Sequence, residues 1–148
     1  MPFVRLYSPK LPLAKRKQIV KEFTQVLLDA LHLPPEAIDY CTIQFSPFKL
    51  DEMAVGGKLL SENRKKKERG ADYTMEVHER NLDAEKRQAL VTGLTDALAR
   101  VLKIKPERVW SINILIHEYN PSTDFAVGGR FVGDAGGSER EADSGRQV

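Results

Sequence analysis

The sequence has 148 residues, 41% of them hydrophobic and 30% charged, with a net charge of +2. This ordinary globular composition gives length for one compact domain with a real core and too little for two. No apolar run could span a bilayer, and Met1-Pro2-Phe3-Val4-Arg5 lacks the layout of a signal peptide. A protein with no membrane partner is expected. The single cysteine, Cys41, cannot form an internal disulfide and sits among strand-like residues, which suits packing in a reducing, cytoplasmic setting.

In chain order, Phe3, Val4, Leu6 and Tyr7 read as a short strand. Ile19, Val20, Phe23, Val26, Leu27, Ala30 and Leu31 then fall on one helical face, and Pro34-Pro35 stops the helix. A β-rich run follows from Ile38 to Phe45, and then a Gly56-Gly57 turn. Residues 61–72 form a polar link containing Arg64-Lys65-Lys66-Lys67-Glu68-Arg69. Residues 1–70 hold 13 Lys and Arg against 8 Asp and Glu, largely because of this run. A short basic stretch of this kind is a solvated linker more often than a phosphate contact, so no nucleic-acid partner is expected.

The second half repeats the first at an offset of 71. Met75 and Val77 alternate with Glu76 and His78, the period of a half-buried strand. The helical face recurs as Leu90, Val91, Leu94, Ala97, Leu98, Val101 and Leu102, stopped near Pro106. Val109 to Ile116 is the next β-rich run, and Ala126-Val127-Gly128-Gly129-Arg130 matches Ala54-Val55-Gly56-Gly57-Lys58 after one inserted residue. Such self-similarity marks a duplicated unit.

Each half is therefore a β-α-β unit with parallel strands and a helix on one face. The fold class is α+β: tandem β-α-β repeats forming a four-stranded sheet with two helices on one face. One domain is expected over 1–132, from repeats 2–60 and 73–131, with a disordered tail over 133–148. The other sheet face is left uncovered. If Val4, Leu6, Ile112 or Ile114 point to it, self-association is the economical way to bury them. The alternation of Thr42, Gln44, Ser111 and Asn113 instead allows that face to be polar.

The duplicated unit, the Met1-Pro2 start and a Gly-Gly hairpin after each second strand together resemble the tautomerase superfamily. Met1-Pro2-Phe3-Val4 and Met53 to Arg64 are similar to 4-oxalocrotonate tautomerase. Length, duplication, Val109-Trp110 and Gly129-Arg130-Phe131 resemble cis-3-chloroacrylic acid dehalogenase and its relatives. The resemblance covers about residues 2–131. It implies a homotrimer, a small carboxylic acid substrate, and catalysis by the proline at position 2.

Removal of Met1 would expose a secondary amine at Pro2. An α-amino group titrates nearer neutrality than lysine, and burial or neighbouring cations favour its neutral form. A neutral amine can then abstract a proton beside a carbonyl. The substrate carboxylate calls for an arginine. The family's positions for it fall here on Leu11-Pro12, Asp39 and Trp110, whereas Arg80 lies within one residue of the family's arginine in the second half. Arg80 is thus the candidate clamp. His78, on the same strand end, is a candidate hydrogen-bonding partner. Trp110 and Phe125 are implied pocket-lining residues, with core packing as the alternative for both.

Dehalogenating and hydrating members need a further carboxylate to activate water. Its position is Val127 here, with Asp124 or Glu118 as possible substitutes. His32, His78 and His117 are scattered and Cys41 is alone, so no metal or other cofactor is expected. Three functions remain: proton transfer on a small 2-keto or enol acid; hydration or dehalogenation of an unsaturated acid on the same proline; and a catalytically idle oligomeric binding protein.

Overall fold

The computed structural model describes residues 1–62 and 72–133. The basic run at 64–69, and all but the first residue of the expected tail, lie outside the described residues. β1 (Phe3–Ser8) leads to α1 (Leu13–Ala30), a 3-10 turn (Pro35–Tyr40) and β2 (Thr42–Pro47). The hairpin β3 (Ala54–Val55) and β4 (Lys58–Leu59) closes the first repeat. The second repeat follows the same order: β5 (Tyr73–Glu79), α2 (Ala84–Leu102), a 3-10 turn (Pro106–Ser111), β6 (Ile112–Glu118), β7 (Ala126–Val127) and β8 (Arg130–Phe131).

The main sheet runs β2-β1-β5-β6. β1 is parallel to β2 and β5 to β6, while β1 and β5 meet antiparallel at the seam between repeats. Both helices lie over one face. There Val4, Leu6, Met75 and Val77 pack beneath Ile19, Phe23, Leu27, Leu90, Leu94 and Leu98, all fully buried or nearly so. α2 starts on Asp83, whose side chain accepts a hydrogen bond from the Lys86 backbone N–H. It ends on Lys103 in the left-handed region. The helices approach closely at Gly93, where an added Cβ would come within 2.6 Å of Val26 Cγ1. The Gly-Gly pairs turn each hairpin with positive φ at all four glycines, a conformation most side chains resist.

Two sequence expectations are corrected, and one open alternative is decided. The β-rich runs begin later than hydropathy indicates: Ile38 and Trp110 lie in 3-10 turns and are 53% and 52% exposed. The prolines opening those turns, Pro35 and Pro106, favour a helical start, so the extended residues begin only at Thr42 and Ile112. Val20 and Val91, placed on the apolar helix faces, are exposed at matching positions in the two repeats. Val4, Leu6, Ile112 and Ile114 pack toward the helices and do not face the uncovered side.

That open face carries a polar and aromatic cluster. Arg5 donates to the Tyr7 hydroxyl at 3.1 Å and to Gln44 at 3.2 Å, and Tyr7 donates to Glu76 at 3.0 Å. His78 stacks on His117 with ring centroids 4.6 Å apart and meets Phe3 edge-on. Strand register explains the cluster: Phe3 faces His78, Arg5 faces Glu76, and His78 faces His117.

Candidate active site

Antiparallel pairing of β1 and β5 brings the start of the chain beside the end of β5. The end of α1 returns to the same place, and His32 just beyond it lies 3.7 Å from Glu85 in the first turn of α2. Between these elements is a cleft of about 480 Å³. Met1 and Pro2 line it, Met1 exposed and Pro2 buried. One wall comes from the end of α1 and the 3-10 turn: Leu31, Leu33, Pro34, Ala37 and Tyr40, with Glu36 among them. The other comes from the β5–α2 junction: Glu79, Arg80, Asn81 and Lys86.

Glu79 is the most constrained polar group of the cleft, only 5% exposed. Its Oε1 lies 3.3 Å from the amino nitrogen of Met1 and accepts from the Arg80 backbone N–H at 3.0 Å and the Tyr119 hydroxyl at 3.3 Å. The Tyr119 N–H also donates to the Glu79 carbonyl at 3.2 Å. Arg80 and Lys86 share the cleft with this anion. Behind the terminus, burial pushes the Cys41 thiol up, with the amino terminus lowering it and Glu79 raising it again. Cys41 packs against the core, its thiol on the Ala37 carbonyl.

The second repeat has a smaller counterpart of about 180 Å³. The offset of 71 puts Tyr73 there in place of Pro2, Lys105 in place of Pro34 and Arg108 in place of Ala37. The Arg108 guanidinium reaches the buried Asp72 at 3.2 Å. Tyr73 lies within the chain, so its nitrogen is an amide and has no lone pair available to take a proton.

Of the residues singled out from sequence, Pro2 and Arg80 line one cleft. Phe125 adjoins it indirectly, packing on Tyr119 with centroids 5.3 Å apart. His78 is not brought there; it sits on the open sheet face, where burial pushes its imidazole below the ordinary range, His117 adds to this and Glu76 opposes it. Trp110 lies on the second repeat's 3-10 turn, with the Arg108 guanidinium 5.1 Å from its ring centroid. Glu118 and Asp124 are engaged elsewhere. Glu118 accepts from the Leu82 N–H and from Arg87, and Asp124 accepts from the Asn120 N–H. Among the described residues no group of three or more His, Cys, Asp or Glu side chains could hold a metal ion, and no helix is long and apolar enough to cross a membrane.

Sequence reasoning missed Glu79, Lys86, Tyr40 and Tyr119. Glu79 had a signal: extending the Met75, Val77 alternation by one step puts a carboxylate on the buried face, where its repeat counterpart is Ser8.

Residues 74–135 match the family model described as Tautomerase enzyme. That match covers the second repeat, and the fold extends the likeness to the first. About nine-tenths of the chain superposes on fused, two-repeat tautomerase-fold structures. A native fused 4-OT superposes with a TM-score of 0.74 at 18% identity, over 91% of this chain and 98% of that one. A fused 4-OT described as a wild-type asymmetric trimer gives 0.72 at 20%, over 90% and 98%. Malonate semialdehyde decarboxylase, whose structure is described in terms of decarboxylase and hydratase activities, gives 0.66 at 17%, over 91% and 98%. No curated protein matches this chain in sequence.

Proposed function

We propose that this tautomerase-fold chain is a cofactor-independent isomerase that moves a proton on a small 2-keto or enol acid. Pro2, exposed as a secondary amine once Met1 is trimmed, is the general base, and Arg80 holds the substrate carboxylate. The observation carrying this is that a buried Pro2 and Arg80 line the same cleft. In the step, the Pro2 nitrogen takes a proton from carbon beside the ketone, the electrons move to the carbonyl oxygen as an enolate, and the proton returns at the new position. Arg80 fixes the acid so that the reacting carbon faces the amine, which lowers the entropic part of the barrier. A homotrimer in the cytoplasm is part of the proposal, supported by trimeric fused 4-OT neighbours and by the free Cys41. The test is an ultraviolet assay of phenylenolpyruvate and 2-hydroxymuconate with wild type beside Pro2→Ala. Turnover that does not depend on Pro2 rejects the reading.

Glu79 favours a second reading. A carboxylate held against the chain terminus suits a protonated amine acting as acid, with Glu79 drawing a proton from water, so that an unsaturated acid is hydrated. Product analysis separates the two, because hydration adds the mass of water and tautomerisation adds nothing. Ligand binding without either product would leave the idle binding protein.

A further inference from the structure

The two walls of the Pro2 cleft differ in charge. Among its described lining residues the basic side chains, Arg80 and Lys86, both stand on the β5–α2 wall. The facing wall is Leu31, Leu33, Pro34, Ala37 and Tyr40, and its charged member is the anion Glu36. The fold does not require this. In the second repeat's counterpart the positions of Pro34 and Ala37 are Lys105 and Arg108, so the same scaffold accepts cations on that wall.

We infer that the cleft selects a monoanionic 2-keto acid with an apolar, ring-sized tail over a dicarboxylate of similar length. This rests on the proton-transfer reading for the placement of one carboxylate at Arg80. The tail of such an acid then points to the opposite wall. A second carboxylate there would lose water against Leu33 and Pro34 and meet the like charge of Glu36. An aromatic tail would instead stack on Tyr40 and be buried against Leu31 and Leu33.

Calorimetric binding to the protein with Met1 removed tests this, using phenylpyruvate and 2-oxoadipate. Phenylpyruvate is expected to bind about tenfold more tightly. Glu36 is exposed, so Glu36→Lys leaves the fold alone, and it is expected to move the ratio about fivefold toward 2-oxoadipate. Tyr40→Ala is expected to weaken phenylpyruvate about fivefold and to leave pyruvate unchanged. Binding is read without turnover, so a protein that binds with this preference but moves no proton overturns the isomerase reading and keeps this one. Equal or tighter binding of 2-oxoadipate, no binding of either acid, or a ratio unmoved by Glu36→Lys overturns the inference.

Discussion

The amino nitrogen of Met1 stands 3.3 Å from Oε1 of Glu79, a carboxylate that Tyr119 and the Arg80 backbone hold in place. In the trimmed chain the Pro2 amine takes over as the terminus of this cleft, which Glu79 also lines. Glu79→Gln removes that charge and keeps the shape. The rise of kcat/KM with pH is expected to move to lower pH, because a negative charge beside the terminus is gone. A profile that stays in place would show that Glu79 and the amine are not coupled.

Arg80→Ala is expected to weaken turnover of acidic substrates far more than of neutral ones. Losing a charged hydrogen bond to a bound carboxylate costs about 1.5–3 kcal/mol, or roughly tenfold to a hundredfold. Steady-state kinetics on an acid and its methyl ester give the comparison. Equal losses on both would return Arg80 to a structural role.

The repeat carried most of what the sequence could reveal about the fold. Matching apolar faces at an offset of 71 give two helices over one sheet, and strand alternation gives the buried Val4, Leu6, Met75 and Val77. The site was less legible because it is built from ends of elements. His78 and Arg80 are two apart in sequence, yet the strand finishes between them: His78 stays on the open face while Arg80 lines the cleft. Tyr119 and Glu79 are 40 residues apart, and only the parallel pairing of β5 with β6 brings them together. Hydropathy also misplaced Trp110, since a tryptophan in a 3-10 turn and one in a strand have the same local neighbours.

Gly93 has no counterpart glycine in the first repeat, where the matching residue is Glu22. Its role is the close approach of the helices: an alanine methyl would meet Val26 Cγ1 at 2.6 Å, and a β-branched side chain in a helix has little rotamer freedom to yield. Gly93→Ala is therefore expected to destabilise by about 1–3 kcal/mol despite alanine's better helix propensity. Urea unfolding checks it, and an unchanged or raised midpoint would show that the helices can separate at little cost.

The His78 imidazole is held below its ordinary value of 6.5 in the folded chain. The unfolded chain then binds more protons between the folded and unfolded values. Stability from this source is fully present above pH 6.5 and is lost as pH falls through that window. Thermal midpoints measured from pH 7.5 downward are expected to fall in that range, and His78→Gln is expected to flatten the fall. Around His78 lie His117 and Arg5, which oppose its protonation, and Glu76, which favours it. A variant with the same slope as wild type would assign the acid sensitivity to another group.

The proposal for Pro2 depends on a free amine, and chain extension tests that without altering any side chain. One residue placed ahead of Pro2 that is not trimmed turns the nitrogen into an amide, whose lone pair is delocalised into the carbonyl and cannot take a proton. The extended protein is expected to fold and assemble like wild type, because Met1 already occupies that position in an exposed setting. Its activity is expected to vanish. Pro2→Ala keeps an amine, though a primary and more mobile one, and is expected to lose activity only in part. Mass spectrometry of each preparation establishes which terminus is present, and light scattering establishes the assembly state. An extended protein with its terminus verified, correctly assembled and fully active, would eliminate the amine as the base and leave Glu79 as the nearest group able to take its place.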